Sequence, residues 1–108
     1  MWQQICKLSQ LDSNLGVGAV INNQQVALFY VPTEPQKVFA IDNWDPIGKA
    51  FVLSRGIVGD VKGKPCVASP LYKQHFELGT GNCVEQPEVQ LKIWQTKVEN
   101  DEVWVMAS

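Results

Sequence analysis

The chain has 108 residues, 45% of them hydrophobic, which suits one packed domain over residues 1–108 and leaves little room for a second. Its formal charge is −2 and its basic residues are scattered from Lys7 to Lys97, which excludes the phosphate-neutralising stripe of a nucleic-acid binder. No apolar run is long enough to cross a membrane, and Met1-Trp2-Gln3-Gln4 does not open a secretory signal.

Along the chain, apolar–polar alternation dominates and no helical stripe is sustained. Trp2–Lys7 reads as a strand. Residues 18–22 and 25–31 flank Asn22-Asn23-Gln24, a turn because asparagine tolerates positive φ cheaply. Strand 37–42 follows a loop marked by Pro32 and Pro35. The stretch 44–55 resists a strand reading, with a helical turn expected over 50–53. Val61-Lys62-Gly63-Lys64 is a tight connection into an extended run over 65–69. Residues 75–78 and 83–86 bracket a hairpin turn at Gly79-Thr80-Gly81-Asn82. The last pair, 91–98 and 103–106, turns about Glu99-Asn100-Asp101-Glu102 and sets Trp94 and Trp104 on opposite arms of one hairpin, as core or half-core residues. So many short strands, with turn signals between them, predict an all-β sandwich or small barrel.

Catalytic and metal-binding patterns are absent by the same reading. The three cysteines, Cys6, Cys66 and Cys83, are odd in number and far apart, which suits reduced thiols in a cytoplasmic protein. His75 is the lone histidine, and no two of these four residues have the spacing by which neighbouring zinc ligands share a metal. Gly79-Thr80-Gly81 is too short for a phosphate cradle and precedes a strand rather than a helix. No catalytic centre is therefore predicted in this chain.

Two segments carry a family resemblance. Val38-Phe39-Ala40-Ile41-Asp42-Asn43, then Asp45-Pro46-Ile47, then Val52-Leu53-Ser54-Arg55-Gly56, resembles the first cluster-binding segment of a Rieske iron–sulfur domain. Val67-Ala68-Ser69-Pro70-Leu71-Tyr72, followed by Phe76-Glu77 and Thr80-Gly81, resembles the second. The resemblance implies a Rieske-like antiparallel fold with a smaller subdomain bearing the two loops. Carried over residue by residue, the two cysteine positions fall on Asp45 and Ser69, and the two histidine positions on Ile47 and Tyr72. A [2Fe–2S] centre of this type needs two thiolates on one iron and two imidazoles on the other, so no metal or cofactor is expected here. Cys66 and His75 do not rescue it, each standing three residues off the ligand register.

A Rieske-like domain of this size without ligands is similar to the small subunits of bacterial NAD(P)H-dependent assimilatory nitrite reductases. That resemblance implies a cytoplasmic, non-catalytic partner of a large catalytic subunit. Flavin, sirohaem, an iron–sulfur cluster and NAD(P)H would all belong to that large subunit. Two rivals stand beside it: a ferredoxin-like electron carrier with an unusual site, and a non-redox adaptor on the same scaffold.

With no metal to cross-link the loops, Pro46 and Pro70 stiffen each tip by fixing φ. Trp44, Ile47, Leu71 and Tyr72 then form either an apolar protein-docking surface or, with Phe51, a plug for the vacated cluster position. Arg55 and Lys73 are candidates for charged rim contacts, or are simply solvated.

Overall fold

A computed structural model describes residues 1–107. Twelve short strands and two 3₁₀ turns make up the described chain: β1 (Trp2–Lys7), β2 (Gly16–Ile21), β3 (Gln24–Tyr30), β4 (Val38–Asp42), β5 (Trp44–Asp45), β6 (Ala50–Phe51), β7 (Ile57–Val61), β8 (Lys64–Ala68), β9 (His75–Glu77), β10 (Ile93–Trp94), β11 (Thr96–Glu99) and β12 (Glu102–Met106). They form antiparallel sheets ordered β1-β12-β11, β10-β4-β3-β2 and β7-β8-β9, with β5-β6 a separate small hairpin.

The four-stranded sheet is the middle layer, and the sequence of β3 says why. Gln24–Tyr30 carries Val26-Ala27-Leu28-Phe29 without a polar interruption, as a strand buried on both faces must. Alternate residues go opposite ways. Val26 and Leu28 join Ile21, Ala40, Trp94 and Val105 against the β1-β12-β11 sheet. Ala27 and Phe29 join Phe39, Ile41, Val67, Phe76 and Leu78 against the β7-β8-β9 sheet. That second sheet and the β5-β6 hairpin are the smaller part that bears the two loops.

Turn chemistry explains the registers. Asn22 and Asn23 both hold positive φ (51° and 63°), as do Lys62 and Gly63, and Asn100 and Asp101. Each pair closes a two-residue hairpin of the type whose twist matches its strands, pairing Ile21 with Gln24, Val61 with Lys64 and Glu99 with Glu102.

Three expectations change. The stretch 44–55 is a small hairpin, β5-β6, followed by a 3₁₀ turn at Leu53–Arg55, so Trp44 does have a strand to lie on. Residues 83–86 do not form a strand; Cys83 makes an isolated bridge to Phe76, and its neighbours are spent anchoring other loops. The run 91–98 is not one arm of a hairpin. It breaks at Gln95, where the chain leaves the middle sheet and crosses to the outer one, as strands at sandwich corners do. Trp94 therefore pairs with Ala40 and is buried, while Trp104 lies opposite Lys97, half-buried, in the other sheet.

Candidate functional site

The two loops at the β5-β6 and β8–β9 connections are close copies of one another. Asp45-Pro46-Ile47-Gly48-Lys49 is closed by the Lys49 N–H donating to the Asp45 carbonyl at 2.7 Å. Ser69-Pro70-Leu71-Tyr72-Lys73 is closed by Lys73 N–H onto the Ser69 carbonyl at 3.0 Å. The fifth residue of each turn holds a left-handed φ, 59° at Lys49 and 60° at Lys73.

Between the loops stands a polar clasp. Asp45 is completely buried and Ser69 and Gln74 nearly so. Within its own loop the Asp45 carboxyl accepts from the backbone N–H of Ile47 (2.9 Å) and Gly48 (3.0 Å). Across the gap it accepts from Ser69 Oγ, and Gln74 Nε2 donates to both of its oxygens at 3.0 Å. The loops must come very close for this. A Cβ at Gly48 would collide with the Leu71 side chain and lie 2.9 Å from Asp45 Oδ2, so the approach needs glycine there.

The four candidate docking residues divide by position. Tyr72 is 71% exposed, Leu71 45% and Trp44 38%, whereas Ile47 is half-buried and packed against the core. Phe51 does not plug the interior either. It is exposed and stacks on Trp44, ring centroids 4.8 Å apart at 60°. A hydrogen bond thus joins the two positions where the resemblance places cysteine, Asp45 and Ser69, while Ile47 packs against the core. Residue-by-residue comparison located Asp45 and Ser69 but not their mutual bond. It missed Gln74, Gly48 and Lys49 altogether, since nothing in their local pattern sets them apart from ordinary loop residues.

The thiols and the imidazole lie elsewhere. His75 is pinned to Glu85, whose carboxyl takes the His75 N–H at 2.7 Å and lies 2.6 Å from Nδ1. Partial burial pushes the Glu85 carboxyl up, but these bonds from His75 outweigh it and hold it below its ordinary value. Cys66 and Cys83 are buried. Burial, with Glu77 nearby, pushes the Cys66 thiol up to about 11. At pH 8 on the order of one Cys66 in a thousand is then thiolate. Iodoacetamide at that pH is expected to leave both cysteines unmodified until denaturant is added, as intact mass would show.

A model of the Rieske-like [2Fe–2S] domain family matches residues 1–106. The nitrite reductase (NADH) small subunit of Salmonella typhimurium is 41% identical over 99 residues, covering 92% of this chain and 91% of that protein. This chain belongs to that small-subunit family, within the Rieske-like domains. The nitrite reductase [NAD(P)H] large subunit of Klebsiella oxytoca contains a similar stretch, 43% identical over 104 residues. The match takes in 96% of this chain, which spans only 11% of that protein. The solution structure of the Escherichia coli protein NirD superposes with a TM-score of 0.88 at 37% identity, covering 97% of this chain and 94% of that one.

The cluster that gives the wider family its name does not fit the residues present. Ile47 has no donor atom, and Asp45, Ser69 and Tyr72 offer oxygens where thiolate and imidazole are required. Asp45 and Ser69 are moreover bonded directly to each other, with Gln74 closing the remaining side. Among the described residues no three of His, Cys, Asp and Glu gather into a metal-holding group.

Proposed function

We propose that this chain is a cluster-free accessory subunit of a cytoplasmic NAD(P)H-dependent nitrite reductase, which takes nitrite to ammonium in nitrate assimilation. It binds the large catalytic subunit, and that subunit holds the flavin, sirohaem, iron–sulfur cluster and NAD(P)H site. The observation that carries the reading is the clasp: Asp45, Ser69 and Gln74 join the loops where the family's cluster would do so. The surface above it, Trp44, Leu71 and Tyr72 with Phe51, is apolar and exposed, as a docking tip requires. The Klebsiella relative, in which a similar stretch is part of the large-subunit chain, supports a physical association between the two components.

Iron analysis and a visible spectrum of freshly purified protein test the cluster-free claim. The expected sample is colourless with iron far below stoichiometry. Two irons per chain with visible absorption bands would make the chain an electron carrier instead. Binding to the purified large subunit tests the second half, and its absence would favour an unrelated adaptor.

A further inference from the structure

The chain is acidic overall, yet its tip is not. The two matching turns end in Lys49 and Lys73, both exposed, and the 3₁₀ turn beside them ends in Arg55, also exposed. None of the three takes part in an ion pair among the described residues; the pairs there join Lys64 to Glu77, His75 to Glu85 and Lys97 to Glu99. Acidic side chains of the same region are buried or hydrogen-bonded rather than paired with these cations. Asp45 is buried in the clasp, Asp42 accepts from Trp94 Nε1 at 3.1 Å, and Glu85 is held by His75. The tip thus carries three exposed cations without an ion pair on the same loops as Trp44, Phe51, Leu71 and Tyr72. Against them stands a single half-buried carboxylate, Asp42, beside Trp44 and Phe51, with the exposed Ile57 on the next strand.

We propose that this tip docks on a protein surface of the opposite pattern, an apolar seat ringed by aspartate and glutamate. The proposal rests on the subunit reading above and gives the partner face its chemistry. Charge complementarity argues for it. A chain of net charge −2 that presents exposed cations on the loops of one apolar patch orients itself in the field of an acidic partner before contact. Three cations are too few to hold a nucleic-acid backbone, and exposed aromatic side chains at the centre suit a protein seat. The two lysines also share a fixed geometry. Each is the fifth residue of a turn, and the clasp ties the first residues of the two turns together.

The test is the association rate with the purified large subunit over a series of salt concentrations. For the wild-type chain the rate is expected to fall at least tenfold between about 50 mM and 500 mM salt, because the Debye length shrinks across that range. The double variant Lys49→Glu/Lys73→Glu is expected to associate about tenfold more slowly at low salt and nearly like wild type at high salt. Its melting curve checks that the fold is intact. A wild-type rate indifferent to salt, or a folded double variant that associates like wild type, overturns the acidic-seat proposal and leaves the subunit reading standing. If the wild-type chain does not bind the large subunit at all, both fall. Vesicles of phosphatidylglycerol and a mixed-sequence RNA serve as parallel probes. Salt-sensitive binding to either that exceeds binding to the large subunit would replace the protein seat with a lipid or nucleic-acid partner.

Discussion

Asp45→Ala is expected to lower the unfolding free energy by about 3–5 kcal/mol, measured by urea denaturation, far more than an ordinary loop substitution. The side chain is fully buried, and four groups donate to it: two backbone N–H groups, a hydroxyl and an amide. Removing the acceptor leaves the Ser69 hydroxyl proton and the Gln74 Nε2 donor unmatched in a site closed to water, at about 1–3 kcal/mol each, although Ser69 Oγ still accepts from the Leu71 N–H. The Ile47 and Gly48 amides are less costly because their residues are only half-buried. Asp45→Asn keeps one acceptor oxygen and the side-chain shape, so its loss is expected at about 1–2 kcal/mol. The location of the damage is as diagnostic as its size. Hydrogen exchange is expected to quicken at Ile47, Gly48 and Lys73 while β3 and β4 keep their protection. An Asp45→Ala protein as stable as wild type would show that the loops hold their shape without the clasp.

Trp44→Ala/Tyr72→Ala carries the largest expected effect on association. Large aromatics at the centre of a protein interface commonly contribute 2 kcal/mol or more apiece. The double variant is therefore expected to bind the large subunit about 1000-fold more weakly. The two positions differ in what they cost the fold. Tyr72 is mostly in solvent, and its loss should leave stability nearly unchanged. Trp44 is only 38% exposed and packs on Phe51, so its truncation costs some stability. The melting curve must therefore show the double variant still folded at the binding temperature. Ile47 supplies the contrast: packed against the core, it should cost stability when truncated and matter to binding only through the shape of its loop. A folded double variant that binds as tightly as wild type would remove the tip as the docking site.

The physical reason some of this was legible in the sequence is that it is locally encoded. Asn22-Asn23 and Asn100-Asp101 announce their hairpins because few other residue pairs accept two consecutive positive φ values. Alternation marks strands, and Trp2–Lys7 forms with the bounds its pattern predicts. What alternation cannot show is which sheet a strand joins. The run containing Trp94 looks continuous because each side of Gln95 alternates by itself, and the crossing between layers leaves no local mark. The site divides in the same way. Asp45 and Ser69 are found by their place in two motifs, but the bond between them spans 24 positions, and Gln74 reaches Asp45 over 29. Such contacts exist only once the sheets have stacked.

The clasp also bears on how this domain matures. A tip stitched by a metal cluster is finished only after iron and sulfide are delivered, and it can be lost again to chelation or oxidation. Here the stitch is a carboxyl, a hydroxyl and an amide from the same chain, so it closes in the course of folding itself. On the cluster-free reading proposed above, biogenesis of the tip would be uncoupled from the supply of iron, and a freshly synthesised chain would be ready for its partner as soon as it has folded.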